Sequence, residues 1–148
     1  LVGFVGLCLL VGAADASLTQ SAMRVWYPSL SAPLGTPPAW VFAPVWTLLY
    51  VLMGTAAWLV WCRPGARLPL LLWGWQLLVN AAWNPLFFGL HAISAALVVS
   101  VLLVVLVGLT AVAFARRSRT GGALMFPYLL WTCYAAYLNA GFWSLNPG

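Results

Sequence analysis

The chain has 148 residues, of which 65% are hydrophobic and 5% charged, with a mean hydropathy of +1.02. A water-soluble domain carries about 25% charged residues, so this composition excludes a water-facing surface and predicts an integral, multi-pass membrane protein in a lipid bilayer. The net charge of +5 comes from arginines at the ends of apolar runs, which argues against a nucleic-acid partner and fits residues that set orientation in a bilayer.

An α-helix crosses the hydrocarbon core in about 20 residues. Runs of that length fall at about 1–21, 39–61, 68–89, 92–115 and 123–145. The expectation is therefore an all-α bundle of five transmembrane helices, a single domain over 1–148, with a longer first loop over 22–38. No alternating strand pattern is present, and only helices satisfy their backbone within one span. The first run reads as a span rather than a leader peptide, because four more follow. Arg63, Arg67, Arg116, Arg117 and Arg119 fall in the second and fourth connections, against Arg24 alone on the other side. The positive-inside rule then puts the N-terminus on the arginine-rich, inner face.

In the first run, Asp15 is the sole acid. It lies about two turns before the run ends and is read as an interfacial or protonated group. The segment "WYPSLSAPLGTPPAWVFAPVW" from Trp26 to Trp46 follows, with five prolines and three tryptophans. Prolines fix φ and stiffen a loop. Pro37 and Pro38 suit a helix start, and Pro44 is expected to bend the second helix near Trp46.

The second run carries Phe42, Trp46, Tyr50, Met53 and Ala57 at helical spacing. The third carries Trp73, Gln76, Asn80, Trp83 and Phe87 on one face, and the fifth carries Tyr128, Trp131, Ala135, Asn139 and Phe142. Amides avoid lipid tails, so Gln76 and Asn80 are expected to face the bundle interior. Such stripes serve either as packing and interhelical hydrogen bonding or as the walls of an apolar pocket with a few oriented polar contacts. The fourth run holds only Ser94, Ser100 and Thr110 as polar side chains up to Phe114 and is read as a packing helix without chemistry. His91, before it, is read as a cap or surface residue. Cys8, Cys62 and Cys133 are widely separated and make no metal motif. One acid and one histidine cannot form a carboxylate pair, so acid–base hydrolysis is not expected.

The pieces "WYPSL" at 26, "PPAWVFAPVWTLLYVLMG" at 37, "QLLVNAAWNPLFFG" at 76 and "PYLLWTCYAAYLN" at 127 together resemble the translocator protein family, also called tryptophan-rich sensory proteins or peripheral benzodiazepine receptors. The resemblance implies a five-helix membrane protein, often a homodimer, whose first loop covers a ligand pocket. It implies porphyrins, other tetrapyrroles and flat hydrophobic molecules as ligands, with no cofactor required and no metal. Carried over by motif, the pocket would be Trp46, Tyr50, Asn80, Trp83, Trp131, Ala135, Leu138 and Asn139, and the lid Trp26, Tyr27, Pro37, Pro38 and Trp40. Some bacterial members are linked to light-driven porphyrin breakdown through tryptophans matching Trp46 and Trp131, so a photo-oxidative enzyme is an alternative to a sensor, scavenger or carrier. A structural accessory subunit is a third, since Ala136 and Ala140 would allow close helix contact. The resemblance places such proteins in the bacterial cell envelope or the mitochondrial outer membrane. Two departures stand out: Ala32 and Gly35 replace the family's usual lysine and tryptophan in the first loop. No basic residue follows Arg119, so the family's sterol motif is incomplete.

Overall fold

The computed structural model describes residues 1–146. Among them are five α-helices and no strands: α1 Val2–Val25, α2 Phe42–Trp61, α3 Arg67–Asn84, α4 Ile93–Ala115 and α5 Arg119–Leu145. The last turn of the expected third span is a π-helical turn, Pro85–Gly89. Pro85 has no N–H, so the chain leaves the α-helical ladder there.

Helix ends differ from the sequence expectation for local reasons. α1 continues to Val25 and leads into a short 3-10 turn, Tyr27–Ser29. A second 3-10 turn, Ala39–Val41, precedes α2. Pro44 is the third residue of α2. It lies in the first turn, where its missing N–H has no intrahelical partner to lose, so the expected bend at Trp46 has no cause. α5 starts at Arg119 because the Ser118 hydroxyl accepts from the Gly121 N–H at 3.1 Å.

By length and composition, Val2–Val25, Ala39–Trp61 and Ile93–Ala115 can cross a membrane. α3 and α5 are less apolar because they carry the amides and tyrosines of the interior: Gln76 and Asn80 on α3, Tyr128 and Asn139 on α5 are all buried. The outer face of α4 shows the opposite pattern, with Leu102, Val105, Leu109 and Val112 exposed. An apolar exterior around a partly polar interior is the arrangement a bilayer selects.

α5 packs against α4 and α2, α1 against α2, and α3 against α4. Two close approaches need glycine. A Cβ at Gly54 would lie 2.6 Å from the Val5 Cα, where α2 crosses α1, and one at Gly122 would lie 2.7 Å from the Ala115 Cα, where α5 folds back on α4. The half of the bundle holding the helix 2–3 and 4–5 connections is filled by Met53, Val60, Val107, Phe114, Met125 and Tyr128. The other half has a smaller cluster of Phe87, Ala96, Leu138 and Phe142, flanked by Trp26, Tyr27 and Leu30.

Candidate functional site

Between these two packed regions lies a cavity of about 620 Å³, within the size range of small-molecule sites. α1 supplies one wall through residues spaced at helical intervals: Gly12, Asp15, Thr19, Met23 and Arg24. α2, α3 and α5 supply the others. All eight residues carried over as the pocket line this one space: Trp46, Tyr50, Asn80, Trp83, Trp131, Ala135, Leu138 and Asn139.

The helical stripes divide by depth. Asn80, Trp83 and Phe87 line the cavity, whereas Trp73 and Gln76, lower on the same face, are packed in the core. There the Tyr128 hydroxyl donates to Gln76 Oε1 at 2.9 Å, and the Gln76 amide donates to Met53 sulfur at 3.1 Å. Gln76 thus serves interhelical bonding, the blander of the two readings, and with Tyr128 belongs to the packed core outside the cavity lining.

Two hydrogen-bonded sets fix the polar wall. The Asn80 amide donates to the Tyr50 hydroxyl at 3.0 Å, and that hydroxyl donates to Asp15 Oδ2 at 3.5 Å. On the other side the Trp83 indole N–H donates to Asn139 Oδ1 at 2.9 Å, and the Asn139 amide donates to the Ile93 carbonyl at 3.0 Å. Asn139 therefore ties α3, α5 and the start of α4 together. The aromatic wall is built of ring pairs: Trp83 stacks on Phe87 with centroids 4.9 Å apart, Trp46 lies 5.6 Å from Tyr50, and Phe42 meets Trp131 edge-on at 6.1 Å.

Asp15 is not interfacial. It is 7% exposed, lines the cavity and has the Tyr50 hydroxyl as its donor. Composition alone pointed to this residue as the single acid, but its partner is supplied by another helix. α4 also contributes to the wall, through Ser100 and Leu103. The Ser100 hydroxyl is committed to the Leu97 carbonyl at 2.8 Å, so the expectation of a helix without chemistry is corrected in position only.

Of the five lid residues, Tyr27 lines the cavity. Burial, reinforced by the nearby Tyr134, pushes its phenol up to about 12, so it is a neutral donor at physiological pH. Trp26 faces away from the space, stacked on His91 at 4.0 Å and edge-on to Phe87 at 5.6 Å. His91 holds a positive φ of 53°, uncommon for a residue with a Cβ, and pins the α3–α4 link against the end of α1. Pro37 is half-buried and Pro38 exposed at the approach to α2, and Trp40 is 74% exposed. None of these three touches the cavity wall.

What anchors the first loop is a set the sequence reading did not single out. The Tyr137 hydroxyl donates to the Leu34 carbonyl at 3.0 Å, and the Tyr134 hydroxyl donates to the Gly35 carbonyl. Ser31 and Asn146 exchange a reciprocal pair, N–H to Oδ1 at 2.9 Å and Nδ2 to carbonyl at 3.0 Å. Pro33 rests on Gly141, where any Cβ would collide with its ring. Gly35 adopts φ +86°, a left-handed turn that a tryptophan would adopt only under strain. The glycine is thus the residue the turn requires. Two tyrosines at an interval of three, Tyr134 and Tyr137, were the available signal.

The profile of the TspO/MBR family matches residues 4–144. "Tryptophan-rich protein TspO" of Chlorobaculum tepidum is 40% identical over 147 residues, covering 97% of this chain and 93% of that protein. "Translocator protein" of Bos taurus is 38% identical over 150 residues, covering 98% and 89%. "Tryptophan-rich sensory protein" of Cereibacter sphaeroides is 38% identical over 121 residues, covering 82% and 77%.

Proposed function

The chain belongs to the TspO/MBR family of membrane proteins, and on that premise we propose that its cavity binds tetrapyrroles and comparable flat hydrophobic molecules, as a sensor, scavenger or carrier. The observation that carries this reading is a space of about 620 Å³ walled by Trp46, Trp83 and Trp131 from three different helices. Indole and phenyl faces offer large contact area to a flat π-system at little conformational cost. Asn80, Tyr50 and Asn139 are held by protein partners, so they are oriented before a ligand arrives, which lowers the cost of binding. Ala135 lies one turn from Trp131 on the same wall and leaves room beside the indole.

The first loop over 22–38 acts as the cover, a reading supported by Tyr27 lining the cavity and by the ties of residues 31–35 to α5. The arginine asymmetry puts this covered end on the outer side of the membrane. Titration of the detergent-solubilised protein with protoporphyrin is expected to quench tryptophan fluorescence to saturation at one site. Trp131→Ala is expected to weaken that affinity about tenfold, the value of one aromatic stacking contact. Equal affinity in Trp46→Ala, Trp131→Ala and wild-type protein would falsify the assignment of this cavity.

A further inference from the structure

Asp15 is the feature of this cavity that binding a purely hydrophobic ligand leaves unused. It is the chain's only acid. It sits well inside α1, on the cavity wall, 7% exposed. An ionisable side chain within a membrane span costs about 2.5–3.5 kcal/mol on insertion scales and faces an interior partner or a functional space. A carboxylate offers about four acceptor positions. Among the described residues, the donor within 3.5 Å is the Tyr50 hydroxyl, at the limit of that range, with the Asn84 amide as a further neighbour. The Tyr50 contact is long for an O–H···O bond, whose usual span is about 2.5–3.0 Å. Among the described residues no ion pair neutralises the group. Arg24 lines the same cavity but lies nine residues further along α1, about 13.5 Å of helix rise. The space therefore has an acceptor at its inner end and a cation toward its covered end, with an apolar aromatic wall between them.

We propose that Asp15 is a ligand-recognition residue that selects flat hydrophobic molecules presenting a protonated nitrogen, an ammonium, amidinium or heteroaromatic N–H, to the inner end of the cavity. The contact is a charge-assisted N–H···O bond, the stronger class of hydrogen bond, made to a carboxyl that is 7% exposed. Tyr50, itself held by the Asn80 amide, bonds the carboxyl and leaves its other acceptor positions to the ligand. An anionic group on the same molecule would point the other way, toward Arg24. This inference rests on the reading that the cavity takes flat hydrophobic ligands and adds a polarity to it.

The test uses three tricyclic probes of similar size: 9-aminoacridine as the cation, anthracene as the neutral form and anthracene-9-carboxylate as the anion. Each is titrated by tryptophan quenching into wild-type, Asp15→Asn and Trp131→Ala protein in the same detergent. The wild type is expected to bind 9-aminoacridine at least about tenfold more tightly than anthracene, the worth of a charge-assisted bond. Asp15→Asn, nearly isosteric, is expected to remove that preference while anthracene binding, which reports an intact cavity, stays unchanged. If anthracene binds and is weakened by Trp131→Ala, yet 9-aminoacridine shows no preference or keeps it in Asp15→Asn, the polarity is wrong and the cavity reading stands. If none of the three probes binds, both are overturned.

Discussion

Gly12 is the smallest residue on the cavity wall and controls the largest polar set. A Cβ there would lie 2.5 Å from Tyr50 Cε2, closer than atoms tolerate. The Tyr50 ring would have to swing away and give up its contacts with Asp15 and Asn80. Gly12→Ala is therefore expected to cost about 1–3 kcal/mol of stability, the usual range for overpacking, and to weaken protoporphyrin binding by about tenfold. Thermal unfolding and fluorescence titration on the same sample check both. An unchanged affinity would mean that Tyr50 is not held by the space this glycine leaves. Tyr50 itself was legible in the sequence from its place in the Phe42, Trp46, Tyr50 stripe. Gly12 was not, because a missing side chain has meaning only when the neighbour that fills its place is known.

At the scale of elements, the first loop is held by α5 rather than by its own prolines. Tyr134, Tyr137 and Asn146 bond its backbone, and Pro33 sits on Gly141. Proline stiffness lowers the entropy of the free loop, but docking is decided by these contacts. Gly141→Ala is expected to lift Pro33, the buried residue of the 31–35 segment, off α5. Amide hydrogen exchange at Ser31 and Thr36, whose N–H groups donate to Asn146 Oδ1 and the Pro33 carbonyl, should accelerate by about tenfold or more, while exchange in the core around Met53 and Met125 stays the same. Acceleration spread over both halves of the bundle would instead indicate general unfolding. The helices themselves were readable from apolar run length and arginine placement. Their ends were less so: capped by Ser118, α5 starts at Arg119, four residues before the apolar run begins, because a cap acts through one hydroxyl that a hydropathy window averages away.

For the molecule as a whole, the filled half and the hollow half are built from the same helices. Gln76 and Asn80 are one turn apart on α3, yet one bonds Tyr128 in the packed core and the other faces the cavity. A ligand that fills this space binds the folded protein and has no counterpart site in the unfolded chain. Protoporphyrin at about 100 times its dissociation constant should therefore stabilise the protein by about 2.7 kcal/mol. The rise in melting temperature should grow with the logarithm of ligand concentration and shrink in Trp131→Ala. A shift that is independent of concentration would point to an effect on the detergent instead.

By itself the sequence determined the membrane setting, the number of helices, the inward stripes of α2, α3 and α5 and the family, because each depends on composition, spacing or motifs along one chain. It also contained all eight residues that now share a single cavity. Only the tertiary structure decided how deep each of them lies, that Asp15 joins Tyr50 and Asn80 instead of reaching the interface, and that Gly35 and Gly141 make the loop dock. Those outcomes depend on distances between residues far apart in the chain, set by how closely the helices approach one another.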